Sequence, residues 1–158
     1  MPVFDASSML HAWDNYPEVH FPSFWKWISA EIANNRIRMS VVAFDEVGHM
    51  APECHDWLNN CGLQPLAVTN DILQQANNIK NLLGIVNDNY HADGVDENDL
   101  VIIATAMVNG FELVSEENQP TAPQNLRRSK IPTVCRMNPI NIVCVKLITY
   151  IKGSGVVY

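Results

Sequence analysis

Short apolar runs, each too brief for a buried helix, repeatedly precede segments of helical periodicity in this chain. The first is PVFD at 2–5, three nonpolar residues closed by an acid and followed by small residues. RIRMSVV at 36–42 and FELVS at 111–115 have the same character. Strands separated by helices pair in parallel rather than as hairpins, so the expected fold is α/β with a mostly parallel sheet. In such a sheet the residues just beyond the strand ends line a common crevice.

The helices are read from three- and four-residue apolar spacing. Pro22 and Ser23 suit a helix start, and Phe24, Trp27, Ile28, Glu31 and Ile32 predict an aromatic-faced helix over 22–35. The segment 43–60 continues as a helix with Asp45 and Glu46 in its first turn. Residues 70–83 place Ile72, Leu73, Ala76, Ile79, Leu82 and Leu83 on one face, with Thr69 or Asn70 as the N-cap and Gly84 near the end. A polar stretch at 87–98 leads into DLVIIATAMVNG, an apolar helix with an acidic start that stops at Gly110. KIPTV at 130–134 reads as extended, and 140–152 as a last amphipathic helix whose Ile and Val content also permits a strand.

A length of 158 residues suits one domain spanning 1–158, and 47% hydrophobic content excludes a disordered or low-complexity chain. The longest apolar stretch, PINIVCVKLITYI at 139–151, is broken by Asn141 and Lys146 and falls short of the roughly 20 residues of a membrane span. The N-terminus has no basic segment ahead of an apolar one, so a cytoplasmic location is expected. Cys54, Cys61, Cys135 and Cys144 match no metal or redox spacing and read as reduced thiols, with Cys61 and Cys144 the first suspects for any disulfide.

Charge is unevenly spread. All 17 acidic residues lie at or before Glu117, whereas six of the ten basic residues lie from Arg127 onward. Arg127, Arg128, Lys130 and Arg136 either neutralise the acidic body of the same domain or hold phosphates.

If the sheet is parallel, Asp5, Glu46, Asp99 and Glu117, each placed after a strand or at a helix start, converge on one edge. Two carboxylates about 4 Å apart repel by roughly 4 kcal/mol at an effective dielectric near 20, so such a group stays ionised only around a cation. Oxygen ligands select Mg²⁺ or Mn²⁺, either of which promotes phosphodiester hydrolysis. The competing reading is that acids in a first helical turn are favoured by the helix dipole, which accounts for Asp45, Glu46 and Asp99 without catalysis. Asp5 has no such account, because Ser7 and Ser8 suffice to cap the next helix.

These residues resemble those of PIN-domain nucleases. VFDASSML looks like the family's opening strand motif, SVVAFDEV like the segment bearing its second acid, here Glu46, and DLVIIATA like its third motif. LVSEE resembles the strand before the more variable fourth acid, here Glu117. FPSFWKWI at 21–28 and KIPTVC at 130–135 look like a bacterial PIN-like subfamily of poorly defined function, in which the last motif usually reads IPDVC. Thr133 stands in place of that acid, which marks the motif as structural.

The resemblance implies a three-layer α/β/α PIN-like domain, a Mg²⁺ or Mn²⁺ site and endoribonuclease activity on single-stranded or structured RNA. It also implies a VapC-type toxin with a cognate antitoxin, and a homodimer. Asp5, Glu46 and Asp99 are then metal ligands or orient the attacking water, Glu117 acts through water or a second ion, and Asp96 is the nearest substitute for Asp99. Arg127, Arg128 and Lys130 are expected on the RNA backbone. The alternative is a noncatalytic PIN-like binding or scaffold protein, and a phosphatase or DNA nuclease would use the same ligands.

Among the remaining polar and aromatic residues, Ser7 suits a place beside the metal or a helix cap. Trp13, Trp25, Trp27 and Trp57 either stack bases or fill the core, with Trp27 assigned to the core by its spacing. His11, His20, His49, His55 and His91 show no ligand spacing, and an ion that activates water needs no histidine base.

Overall fold

Pro2–Phe4 (β1), Glu112–Val114 (β2) and Cys144–Val145 (β3) pair in parallel, in that spatial order, in the computed structural model, which describes residues 1–158. The register sets Phe4 beside Val114 and Val114 beside Val145. Beyond β1, single parallel bridges join Val3 to Arg38 and Ser40 to Leu66. All three residues of β1 are buried. Because successive strand side chains point to opposite faces, helices cover both sides of the sheet, as in an α/β/α sandwich.

The crossovers are α1 (Ala6–Asn15), α2 (Pro22–Ala33), α3 (Val41–Met50), α4 (Pro52–Asn60), α5 (Asn70–Leu82) and α6 (Glu97–Asn109). After β2 come a 3₁₀ turn at Leu126–Arg128 and α7 (Ile131–Arg136), and after β3 comes α8 (Leu147–Ser154). Every residue from Leu100 to Ala106 of α6 is buried, which marks it as an interior helix rather than a surface one. It packs on α5, β1 and β2. No helix is long and apolar enough to cross a membrane.

Several local expectations are corrected. RIRMSVV contributes only the bridges at Arg38 and Ser40, since α3 already starts at Val41, where the Ser40 hydroxyl accepts from the Ala43 N–H at 3.2 Å. That cap overrides the β preference of Val41 and Val42. The helix over 43–60 is broken at Ala51, because Pro52 cannot continue α3 but suits the first turn of α4. Pro132 does the same for α7, so KIPTV is helical rather than extended. The segment 140–152 divides into β3 and α8. In α2 the buried face is Phe24, Trp25, Ile28 and Ile32, while Trp27 flanks it against Tyr150 and Tyr158. All four cysteines are free, and the thiols that meet are Cys135 and Cys144, not Cys61 and Cys144.

The 3₁₀ turn carrying Arg127 and Arg128 is docked by its backbone. The Val95 N–H donates to the Ser129 carbonyl at 2.9 Å, and Gly94 lies so close that a Cβ there would stand 1.9 Å from the Arg127 carbonyl oxygen. Backbone cannot yield as a side chain can. Gly94→Ala is expected to cost roughly 2–3 kcal/mol, read as a fall in Tm of roughly 5–10 °C. Gly153→Ala, which meets nothing within 4 Å, is the control and should gain about 0.5–1 kcal/mol.

Candidate active site

Parallel register makes the residues following β1 and β2 neighbours at one edge of the sheet. The chain runs from β1 to the Arg38–Ser40 side and returns later to β2 on the other side, so β1 and β2 flank the switch point where an open α/β sheet forms its crevice. Asp5 follows β1 and Ser115 follows β2. The Asp5 N–H donates to the Val114 carbonyl at 2.9 Å.

Asp5 is only 4% exposed. Its Oδ2 accepts from the Ser7 hydroxyl at 2.5 Å and the Ser115 hydroxyl at 3.0 Å. Ser8 is used differently, its hydroxyl donating to the Asp5 and Val114 carbonyls at 2.7 and 3.0 Å. Burial raises the Asp5 pKa, and the two hydroxyls oppose that rise by stabilising the ionised form. Ser115 escaped the sequence reading. The signal was present, because it follows its strand as Asp5 follows β1.

Asp99 lies in the first turn of α6. Its Oδ2 accepts from the Asp96 N–H at 2.9 Å, while Asp96 Oδ1 accepts from the Asp99 N–H at 2.9 Å, a reciprocal capping box. Asp96 is therefore the cap of α6 and exposed, with Asp99 turned inward. Burial, then repulsion from Asp96, Glu117 and Asp5, pushes the Asp99 carboxyl up to about 8, against the favourable bond from Asp96.

Glu46 is not in the first turn of its helix, which begins at Val41, so the dipole does not account for it. It is exposed and accepts no hydrogen bond from the protein. Its carboxyl is nevertheless raised, first by partial desolvation and then by Asp5, Asp96 and Glu117. Glu117 Oε2 accepts from the Ile131 N–H at 2.9 Å and so caps α7. Burial raises its carboxyl as well, opposed by that bond, with Asp5 and Asp96 adding and Lys130 subtracting. Glu116 belongs to a different task, since its Oε1 accepts from the Leu147 N–H at 2.7 Å at the start of α8.

Asp5, Glu46, Asp99 and Glu117 thus come from four separate elements into one another's fields. As the side chains lie, no three of them close on a single ion position. One oxygen each of Asp5, Asp99 and Glu117 is held by hydroxyl or backbone donors. The other oxygens, and the whole of Glu46, take no part in those bonds. An all-oxygen set in which nearby carboxylates raise Glu46, Asp99 and Glu117 fits a hard divalent cation.

The basic segment divides. Arg127 donates to the Asn89 carbonyl at 3.0 Å and Arg128 pairs with Asp93 at 3.2 Å, both within the domain. Lys130 has no ion-pair partner within 4 Å, and its charge reaches Glu117. Arg128 and Lys130 line an open polar cleft of about 720 Å³ with Gln119, Gln124 and Asn125. Thr133 is buried and accepts from Arg136 at 3.3 Å, a structural use of the position.

The raised carboxyls set the sign of the pH dependence. A group that holds its proton more tightly when folded weakens the fold as pH rises from its ordinary value toward its folded value. For Asp99 that window runs from 3.8 to about 8. Stability should therefore fall across it, and Asp99→Asn, which keeps an oxygen for the Asp96 N–H, should recover about 2 kcal/mol above pH 8, roughly 4–8 °C in Tm. Calorimetric melts of both proteins between pH 5 and 9 check this, and equal slopes would refute it.

Among proteins of known structure, a chain of VapBC2 from Rickettsia felis, solved bound to a DNA fragment from their promoter, is similar over 92% of this chain and 97% of its own, at 13% identity and a TM-score of 0.55. A chain of a toxin–antitoxin complex from Klebsiella pneumoniae is similar over 80% of this chain and 94% of its own, at 15% identity and a TM-score of 0.52. The likeness is one of fold, an α/β domain with a parallel sheet. No curated protein matches the sequence. The family model that does match spans residues 3–158, and the chain belongs to that family, DUF4411, a domain of unknown function.

Proposed function

We propose that this chain is a metal-dependent endoribonuclease, a cytoplasmic toxin of a toxin–antitoxin pair acting as one PIN-like unit over 1–158. The observation that carries the reading is the gathering of Asp5, Glu46, Asp99 and Glu117 at the carboxyl edge of a parallel sheet, where burial or partial desolvation raises all four carboxyls and the charge of neighbouring acids raises Glu46, Asp99 and Glu117 further. The fold shared with chains of two toxin–antitoxin complexes supports the toxin assignment and a cognate antitoxin as partner; a second copy of the chain is proposed beside it.

Asp5, Glu46, Asp99 and Glu117 would hold Mg²⁺ or Mn²⁺. Such an ion lowers the pKa of water and offsets charge at a phosphate during in-line displacement. Ser7 and Ser115 fix the Asp5 carboxylate by holding Oδ2, and the Asp96 N–H fixes Asp99 in the same way. Glu46, unbonded and exposed, has the freedom to turn toward the other three. Arg128 and Lys130, on the wall of the polar cleft, offset the repulsion that an RNA backbone meets beside so many carboxylates. Arg127 orders this wall through Asn89.

A noncatalytic binding or scaffold role is the second reading, favoured by the fact that no three of these carboxylates close on one ion position as they stand. The two separate in a cleavage assay on mixed single-stranded RNA with Mn²⁺, with Mg²⁺ and with chelator. A nuclease loses all cleavage with chelator and roughly 100-fold or more in Asp99→Asn. A chain that neither cleaves RNA nor binds Mn²⁺ by calorimetry is a scaffold.

The adjacent glutamates supply a second test. Glu117→Gln keeps an acceptor for the Ile131 N–H but removes the charge, so activity should fall at least about tenfold with Tm nearly unchanged. Glu116→Ala should do the reverse, leaving cleavage intact while costing about 1 kcal/mol through loss of the α8 cap. Equal effects of the two on cleavage would remove Glu117 from the site.

A further inference from the structure

At the opposite end of α1 from Asp5, two half-buried tryptophans form the walls of an open cleft of about 650 Å³. Trp13 comes from the last turn of α1 and Trp57 from α4, their rings 6.4 Å apart and inclined at 53°. Buried Trp25 braces both, edge-on to Trp13 at 5.5 Å and to Trp57 at 4.8 Å. Trp25 spends its own indole N–H on the Tyr16 carbonyl, whereas Trp13 and Trp57 donate to no protein group. Pro17 and Val19 complete the apolar lining.

The rest of the lining is Glu18, Glu53, Asp56 and Asn60, with no lysine or arginine. Glu18 and Glu53 have no ion-pair partner, and Asp56 has only the His55 ring at 3.9 Å. The first turn of α4 accounts for Glu53 through the helix dipole, but not for Glu18 in a loop or Asp56 further along the helix. The carboxyl end of α1 adds its own partial negative charge to the same place. Glu18 of this lining also acts on the Cys61 thiol, which burial and then the Glu18 charge raise against a hydrogen bond with Ser29.

We propose that this cleft captures an arginine side chain presented by a peptide segment of a partner protein. A guanidinium stacks on the Trp13 and Trp57 faces while its N–H groups meet Glu18, Glu53 or Asp56. Arginine is favoured over lysine because its planar cation both stacks and offers paired donors to a carboxylate. Eight residues of α1 separate Trp13 from Asp5, about 12 Å along the helix axis. Arginine capture and phosphodiester hydrolysis therefore stand or fall separately.

The test is titration of the full chain with a synthetic arginine-containing dodecapeptide, followed by indole fluorescence and calorimetry. Matched peptides carry lysine, glutamate or neutral citrulline in place of arginine. The arginine peptide should bind most tightly, and citrulline should weaken binding by about tenfold. Glu53→Gln/Asp56→Asn, exposed changes that leave the ring packing alone, should weaken it by a similar factor. Trp57→Ala should weaken it further and serves only if its circular dichroism matches wild type. The acidic chain attracts any polycation, so Asp71→Asn/Asp88→Asn, which removes two distant exposed charges, should leave affinity within about twofold. If both double variants weaken binding equally, or if the citrulline peptide binds as well as the arginine one, the proposal is overturned.

Discussion

The parallel register between β1 and β2 is the constraint on which the rest of the site depends. It places Phe4 beside Val114, and so makes Asp5 and Ser115 the first residues beyond two adjacent strand ends. A slip by one residue would turn each strand's side chains to the opposite face and expose what is now buried. With Val3, Phe4, Leu113 and Val114 all buried, the core itself enforces the alignment. Asp5 is thereby held at a nearly buried position, where its two hydroxyl donors are the condition for its charge.

The readable part of the fold was the part set by local chemistry. Acids closing short apolar runs, the Thr69 and Gly110 signals and the periodicity of 70–83 all correspond to elements close to their expected bounds. Misreadings fell where one residue overrode its neighbours' preferences: Ser40 capping a helix that begins with two valines, Pro52 dividing a continuous period, Pro132 starting a turn of helix in a segment that looks extended. Trp25 and Trp27 show a different limit. Both suit a helical apolar face, and only the tertiary partners, Trp13 and Trp57 on one side and Tyr150 and Tyr158 on the other, decide which is buried.

For the candidate site, Asp5, Asp99 and Glu117 were legible as strand-end or helix-start acids, whereas Glu46 lies beyond the first turn in which it was expected, and the division of labour among the four was not legible. Asp96 and Asp99 differ by three residues and are reciprocally bonded, yet one is an exposed cap and the other a half-buried acid. Glu116 and Glu117 are adjacent and cap different helices, α8 and α7. No spacing rule distinguishes such neighbours, because the distinction lies in which later helix start each side chain reaches.

The same bonds explain how a chain can fold while carrying a group of carboxylates that repel one another. Each of Asp5, Asp99 and Glu117 gives one oxygen to a hydroxyl or backbone donor that the fold itself supplies. Those bonds oppose desolvation without removing it, which is why all three carboxyls remain above their ordinary range. The residual repulsion is smallest when the group shares a proton or a cation. A fold that secures one oxygen per carboxyl and leaves its charge uncompensated is poised to gain stability from whatever cation enters, and that gain is the physical link between its architecture and its proposed chemistry.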